Sequence, residues 1–382
     1  MWEIIQQQAE KIRDLESRLE GTDEKVEQTS QAVEHTQMAV EATALAVEEG
    51  SAGSGWWERT SLGGYGELHY NGGEAQEIDF HRFVLFVGHE FNDRIRFHSE
   101  FELEHSVAGE GQNGEVELEQ AYVEMDLDEQ NRVQAGLWLI PVGILNETHE
   151  PPTFYGVERN NVEKSIIPTT WWEGGVGLAG NFENGVGYNL AVHSGLRTPV
   201  TGGNAFKIRN GRQKVSEAEA SNFAYTGRLS YTGLPGVEFA GTLQYQTDLT
   251  QGQDETDALL KEIHIDASYD GFGLRALYAR WDLDGDSGAA EAIGRDVQEG
   301  WYVEPSYRFA VGDFGDLGAF VRVGQFDNEA GDSADSETDE YSFGVNYWPH
   351  PDVVFKADFL IDDTPEGTDA DNRLNLGIGV QF

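Results

Sequence analysis

Two stretches of this sequence gather opposed charges at spacings that let them face one another. Between Pro141 and Thr170 lie Glu147, Glu150, Glu158 and Glu163 with Arg159 and Lys164. Between 197 and 220 lie Arg197, Lys207, Arg209, Arg212 and Lys214, with no acid before Glu217. Cationic and anionic walls across a narrow gap make and break no bonds; their field orients dipolar solutes and favours small polar ones. Period-two spacing adds Arg96, Arg132, Arg228, Arg308 and Arg322, with Glu100 and Glu102, to the same inward set. For each arginine the competing role is a salt bridge bracing a neighbouring carboxylate.

Signals for bond chemistry are weak by comparison. DLDGDSG sets Asp282, Asp284 and Asp286 at alternate positions like the start of a calcium loop, but Ser287 stands where glycine is needed and Ile293 where a bidentate glutamate belongs. The 10 histidines show no metal-ligand spacing and cysteine is absent, so neither a metal site nor a thiolate site is expected. With no Ser/His/Asp constellation and no phosphate-cradling glycine loop, neither an enzyme nor a resident cofactor is expected. A formal charge of −44, from 25 basic and 69 acidic residues, excludes nucleic acid as a partner. The first fifty residues hold 4 basic and 12 acidic of these, leaving 21 and 57 for the rest.

The walls that must hold these groups are legible in the alternation. In NRLNLGIGVQF, Leu374, Leu376, Ile378, Val380 and Phe382 take every second position, leaving Arg373, Asn375 and Gln381 on the other face. A terminal strand closing on an aromatic looks like the C-terminal signal of bacterial outer-membrane barrels, with an edge strand of a soluble sandwich as the alternative. Similar segments are expected at 60–71, 78–91, 94–105, 115–127, 131–140, 171–182, 185–196, 221–232, 236–248, 259–270, 271–283, 297–309, 314–327, 339–349, 352–362 and 372–382, an even count of sixteen. The strand at 78–91 slips in phase near Arg82, which suggests a bulge. Short turns alternate with longer polar loops, and a membrane demands closure, because an open edge in lipid leaves backbone groups unpaired. Sixteen strands enclose a lumen too wide for their own side chains to fill, so water is expected there. No run of 18 apolar residues and no leader's apolar core is present; the expectation is that an export signal was removed ahead of residue 1.

Ahead of the strands, Ile5, Ile12, Leu19, Val26, Val33, Val40 and Val47 recur every seven residues. That spacing predicts a left-handed coiled coil, and β-branched residues in its core favour three strands over two. Residues 1–49 are therefore expected as a trimeric α-helical coiled coil, 50–57 as a flexible linker, and 58–382 as a 16-stranded antiparallel transmembrane β-barrel with an inward-folding loop at about 141–170. The rod hangs from the short-turn, periplasmic side, where it would stabilise a homotrimer and reach towards the peptidoglycan.

GLWLIPVGILNETHEPPTFYGVERNNVEKSIIPTTWWEGGVGLAG, with KIRNGRQKVSEAEASNFAYTGRLSY downstream, resembles the phosphate-selective porin O and P superfamily of Gram-negative outer membranes. The resemblance implies a trimer of sixteen-stranded barrels in contact with outer-membrane lipid and lipopolysaccharide. The charge balance argues against carrying over anion preference, so the leading expectation is a passive channel for small hydrophilic solutes and ions with modest cation preference. An anion channel using the lumen and loop Arg and Lys is the alternative, and a structural or adhesive trimeric anchor is a third. The basic loop at 197–220 would equally suit lipopolysaccharide phosphates or a neighbouring protomer.

Overall fold

The structure, a computed structural model, describes residues 55–73, 76–365, 370 and 372–382. The heptad repeat from Ile5 to Val47, and the coiled coil expected from it, lie outside the described residues. Sixteen strands follow: β1 (Thr60–Gly72), β2 (Gln76–Glu90), β3 (Ile95–Glu104), β4 (Val116–Asp126), β5 (Asn131–Leu139), β6 (Trp172–Asn181), β7 (Val186–His193), β8 (Ala224–Leu234), β9 (Val237–Gln246), β10 (Thr256–Tyr269), β11 (Phe272–Gly285), β12 (Val297–Ala310), β13 (Asp316–Asp327), β14 (Thr338–His350), β15 (Val353–Asp363) and β16 (Arg373–Gln381). Each pairs with its sequence neighbours, and β1 pairs antiparallel with β16 from Tyr65–Gln381 to Gly72–Leu374, closing the barrel. Strand ends differ from the sequence expectation by at most three residues, as at β8, expected from 221 and beginning at Ala224.

The two faces invert the pattern of a water-soluble protein. On β9, Phe239, Leu243 and Tyr245 are exposed on the outer surface while Thr242, Gln244 and Gln246 are buried within. On β16, Leu374, Leu376, Ile378 and Val380 are exposed and Asn375 is buried. Only a hydrocarbon solvent makes that arrangement favourable. Exposed Tyr269, Phe272, Tyr307 and Phe309 cluster near the short turns, with the Phe272 and Tyr307 rings 4.6 Å apart, as in an interfacial aromatic girdle.

Two departures from strict alternation shape the interior. On β2 the exposed positions run Ile78, Phe80, then Phe83, so that His81 and Arg82 in succession line one inner cavity. On β4, Gln120 opposes Glu100 and Leu118 opposes Phe101, which leaves Glu119 as the extra residue of a bulge. A bulge re-aims a side chain, and Glu119 points inward and is buried.

Between β5 and β6 the chain turns into the barrel and is held from several sides. Thr242 Oγ1 donates to the Pro141 carbonyl (3.2 Å), Trp348 Nε1 to that of Pro152 (3.2 Å) and Lys356 Nζ to that of Gly156 (2.8 Å). A short helix, α1 (Asn161–Ser165), is capped by Asn160 and carries Glu163, fully buried. Its carboxylate accepts from the Ile144 and Leu145 amides (2.9 and 2.7 Å) and from Tyr302 Oη (2.7 Å). Gly143, at φ +71°, makes this possible: a Cβ there would lie 2.7 Å from Glu163 Oε2. Glu163 is thus a brace within the loop, not a charge on its surface.

The lumen is not wholly wet, in contrast to the expectation from its width. Ile140, Val142, Ile144, Val162, Ile166, Ile167 and Trp171 of the loop pack with Leu260 of β10, Leu277 and Trp281 of β11 and Tyr302 of β12 into one apolar cluster. Burial stabilises each such large side chain by about 1.5–3 kcal/mol. Trp281 Nε1 also donates to the Ile166 carbonyl at 2.9 Å, so its polar edge is satisfied within the cluster.

Candidate channel constriction

Away from that cluster, the loop borders a polar cavity of about 260 Å³ against the wall of β1–β4. From the wall come Glu67, His69, His81, Arg82, Glu117 and Glu119; from the loop come Glu158, Arg159, Lys164, Thr169 and Thr170. A second loop, between β7 and β8, enters from the long-loop end and contributes Arg209, Arg212 and Lys214. Its 3-10 turn, Ile208–Gly211, begins just after Lys207 and buries Ile208 in the apolar cluster. This aims the basic residues back at the long loop. Arg209 and Arg212 therefore point into the barrel, which removes them from the lipopolysaccharide contact considered for this segment.

The arginines on the loop side are held by neutral groups. Arg159 Nη1 donates to Thr170 Oγ1 at 2.6 Å. Arg209 Nη1 donates to the Lys164 and Thr169 carbonyls at 2.9 and 2.6 Å, and Arg212 Nη1 to the Thr170 carbonyl at 2.5 Å. Among the described residues, none of Arg159, Lys164, Arg209 and Arg212 forms an ion pair. Arg159 Nη2 and Arg212 Nε are buried and have no protein partner. Burial and the neighbouring Arg212 and Arg159 push Arg209 down to about 9. The surrounding protein lowers Lys164 as well, although its side chain is exposed to the lumen, with Arg209 adding to the effect.

On the wall the balance reverses. Arg82 lies 2.8 Å from Glu67 and 3.6 Å from Glu102, and His69 bridges Glu67 (3.1 Å) and Glu158 (3.0 Å). Lys214 spans Glu115 and Glu117. Arg82, His69, Glu67 and Glu119 were not among the candidates read from the sequence; the phase slip on β2 and the bulge on β4 bring two of them inward.

The remaining candidates lie elsewhere. Glu100 and Glu102 are buried in the wall, not free in the lumen. Arg96 and Arg132 share Glu124 near the short turns, and Arg96 also pairs with Asp126. Arg228 bridges Glu147 of the long loop and Glu238. Arg322 pairs with Glu304 and donates to the Tyr155 carbonyl (2.9 Å), while Arg308 pairs with Asp316 and lies 4.1 Å over the Trp348 ring. Glu150 only precedes the turn Pro151–Thr153. Asp282 and Asp284 sit within β11, and Asp282 is engaged by Lys261 and Arg280, so the three aspartates do not converge as a calcium loop requires.

The family model of the phosphate-selective porin O and P matches residues 63–382. The chain belongs to that family. This porin is 30% identical over 348 residues to an uncharacterized protein of Aquifex aeolicus (strain VF5), with 82% of the chain and 78% of the relative covered. Its fold is shared with an anion-selective porin from Comamonas acidovorans (TM-score 0.59, 10% identity, 85% of this chain and 99% of that one). Salmonella typhi OmpF, solved with daunomycin, aligns with TM-score 0.57 and 15% identity over 85% and 97% of the two chains. The outer membrane channel DcaP of Acinetobacter baumannii aligns with TM-score 0.56 and 13% identity over the same shares. The porin is thus an outer-membrane β-barrel of the Gram-negative kind, and the family consists of channels, not enzymes.

Proposed function

We propose that the porin is a passive channel for small hydrophilic solutes whose narrowest part, beside the inward loop, favours anions. The observation that carries this is the quartet Arg159, Lys164, Arg209 and Arg212: the three arginines are held by carbonyls and a hydroxyl, and among the described residues none of the four pairs with a carboxylate. Partly buried guanidinium groups inside the barrel keep more of their field than charges at the mouths, where ions screen within about 8–10 Å. Selectivity follows the constriction rather than the sum, so a chain of −44 can still prefer anions there. The phosphate selectivity for which the family is named and the anion-selective porin of Comamonas support the same reading. Single-channel recording in a planar bilayer tests it: added phosphate or dicarboxylate should block the chloride current saturably, and an absence of block at millimolar concentrations would refute it.

The acidic wall, with Glu67, Glu117 and Glu119 on the same cavity, supports a second reading, modest cation preference. Neutralising the quartet would then leave the selectivity unchanged. For the assembly we propose a homotrimer carrying its coiled coil in the periplasm. The heptad repeat supports it, and a similar structure, OmpT of Vibrio cholerae, is described in a trimer form. Removing residues 1–50 should lower the heat resistance of the trimer on gels, and equal resistance would sink the stabilising role. Contact of the rod with peptidoglycan, and of the outer acidic loop at 327–340 with lipopolysaccharide through divalent ions, belongs to the same proposal.

A further inference from the structure

We propose that Glu100, Glu119 and His149 form a divalent transition-metal site that pins the inward loop to the barrel wall. It stands apart from the anion reading. The three side chains come from β3, from the β4 bulge and from the long loop, and they are 2%, 1% and 3% exposed. Glu100 Oε1, Glu119 Oε2 and His149 Nε2 have no hydrogen-bond partner. Nε2 lies 3.7 Å from the first and 3.8 Å from the second, too far for hydrogen bonds. All three atoms fall within 4.8 Å of one another. An ion bound at about 2.0–2.2 Å from each ligand fits that gap after small side-chain adjustments.

The outer contacts are those a metal site needs. Gln120 Nε2 donates to Glu100 Oε2 at 2.6 Å, leaving Oε1 to point at the gap. His149 Nδ1 lies 3.2 Å from the Asn146 carbonyl; a proton on Nδ1 leaves the Nε2 lone pair facing the two carboxylates. Tyr65 packs edge-on to the His149 ring at 6.0 Å. Glu67 and Glu102 are buried in the same wall with Arg82 between them, which adds negative potential. One imidazole and two carboxylates suit zinc, iron(II) or manganese better than calcium. The rival occupant is a proton: burial works against a charged His149, yet the two nearby carboxylates favour it.

The full-length porin, folded in detergent, stripped with chelator and re-equilibrated with micromolar zinc, provides the test. Metal counted by mass spectrometry should give one tightly held zinc per chain. Glu119→Gln and His149→Gln should each lose it, while His105→Ala, at the more exposed Asp79, His81 and His105 group, should keep it. Gln120→Ala should weaken it by about 10- to 100-fold. X-ray absorption of the wild-type zinc complex needs no variant and should show nitrogen and oxygen ligands with a single imidazole. No tight zinc, zinc retained equally in Glu119→Gln and His149→Gln, or loss only in His105→Ala would overturn the proposal and leave a shared proton as the link.

Discussion

The inward loop meets β10–β12 with isoleucine and tryptophan, and it borders β1–β4 with arginine and glutamate. Both walls belong to one barrel and both satisfy their backbone by bonds between adjacent strands, so the contrast lies in the side chains at inward positions. Leu260, Leu277, Trp281 and Tyr302 offer the loop a dry surface on which burial holds it in place. Glu67, Arg82 and Glu119 offer the facing side a charged surface that keeps a passage wet. A flexible segment gripped on one side can hold charges in fixed places on the other. The precision of the charged cavity thus depends on the apolar cluster, although no apolar residue of that cluster lines it.

Breaking the dry side should have the largest effect. Trp281→Ala removes a fully buried ring and should destabilise the folded loop and barrel by about 3–5 kcal/mol, read by urea unfolding in micelles, with noisier and larger unitary currents. Next comes the loop's internal brace: Glu163→Ala leaves the two amides of residues 144 and 145 and the Tyr302 hydroxyl without their acceptor, at about 1–3 kcal/mol by the same assay. On the wet side, Arg159→Gln with Arg212→Gln should shift the reversal potential towards cations while changing the unfolding midpoint less than Trp281→Ala does. Arg209→Gln should lower the anion preference further, and the wild-type preference should hold level across neutral pH, because a guanidinium keeps its charge in proteins. The smallest effect is expected from Arg96→Gln near the short turns, whose partly exposed pairs with Glu124 and Asp126 are worth under about 1 kcal/mol and should leave selectivity unchanged.

Period-two alternation is a local property, and it carried the barrel: strand count, closure and outer surface all follow from which positions are apolar. The loop's length and its charges were equally visible. Contacts between distant segments were not. Arg209 and Arg212 could be read as basic, but only the seating of Ile208 in the apolar cluster aims them at Thr169 and Thr170. The dry wall had a signal that alternation concealed, because Leu260, Leu277, Trp281 and Leu283 are apolar at inward positions where a watery lumen calls for polar ones. Glu119 was hidden by the bulge, since strict alternation across 115–127 cannot turn both it and Gln120 inward. The histidines lacked ligand spacing because the candidate ligands come from three separate elements.

The account turns on whether four loop cations outweigh an acidic chain, and a reversal potential under a tenfold potassium chloride gradient answers that directly. A potential of the sign set by chloride, moving towards the potassium side in Arg159→Gln with Arg212→Gln, is the predicted result. A wild-type potential of the sign set by potassium, unchanged in that variant, would contradict it and give the selectivity to the glutamates of β1–β4.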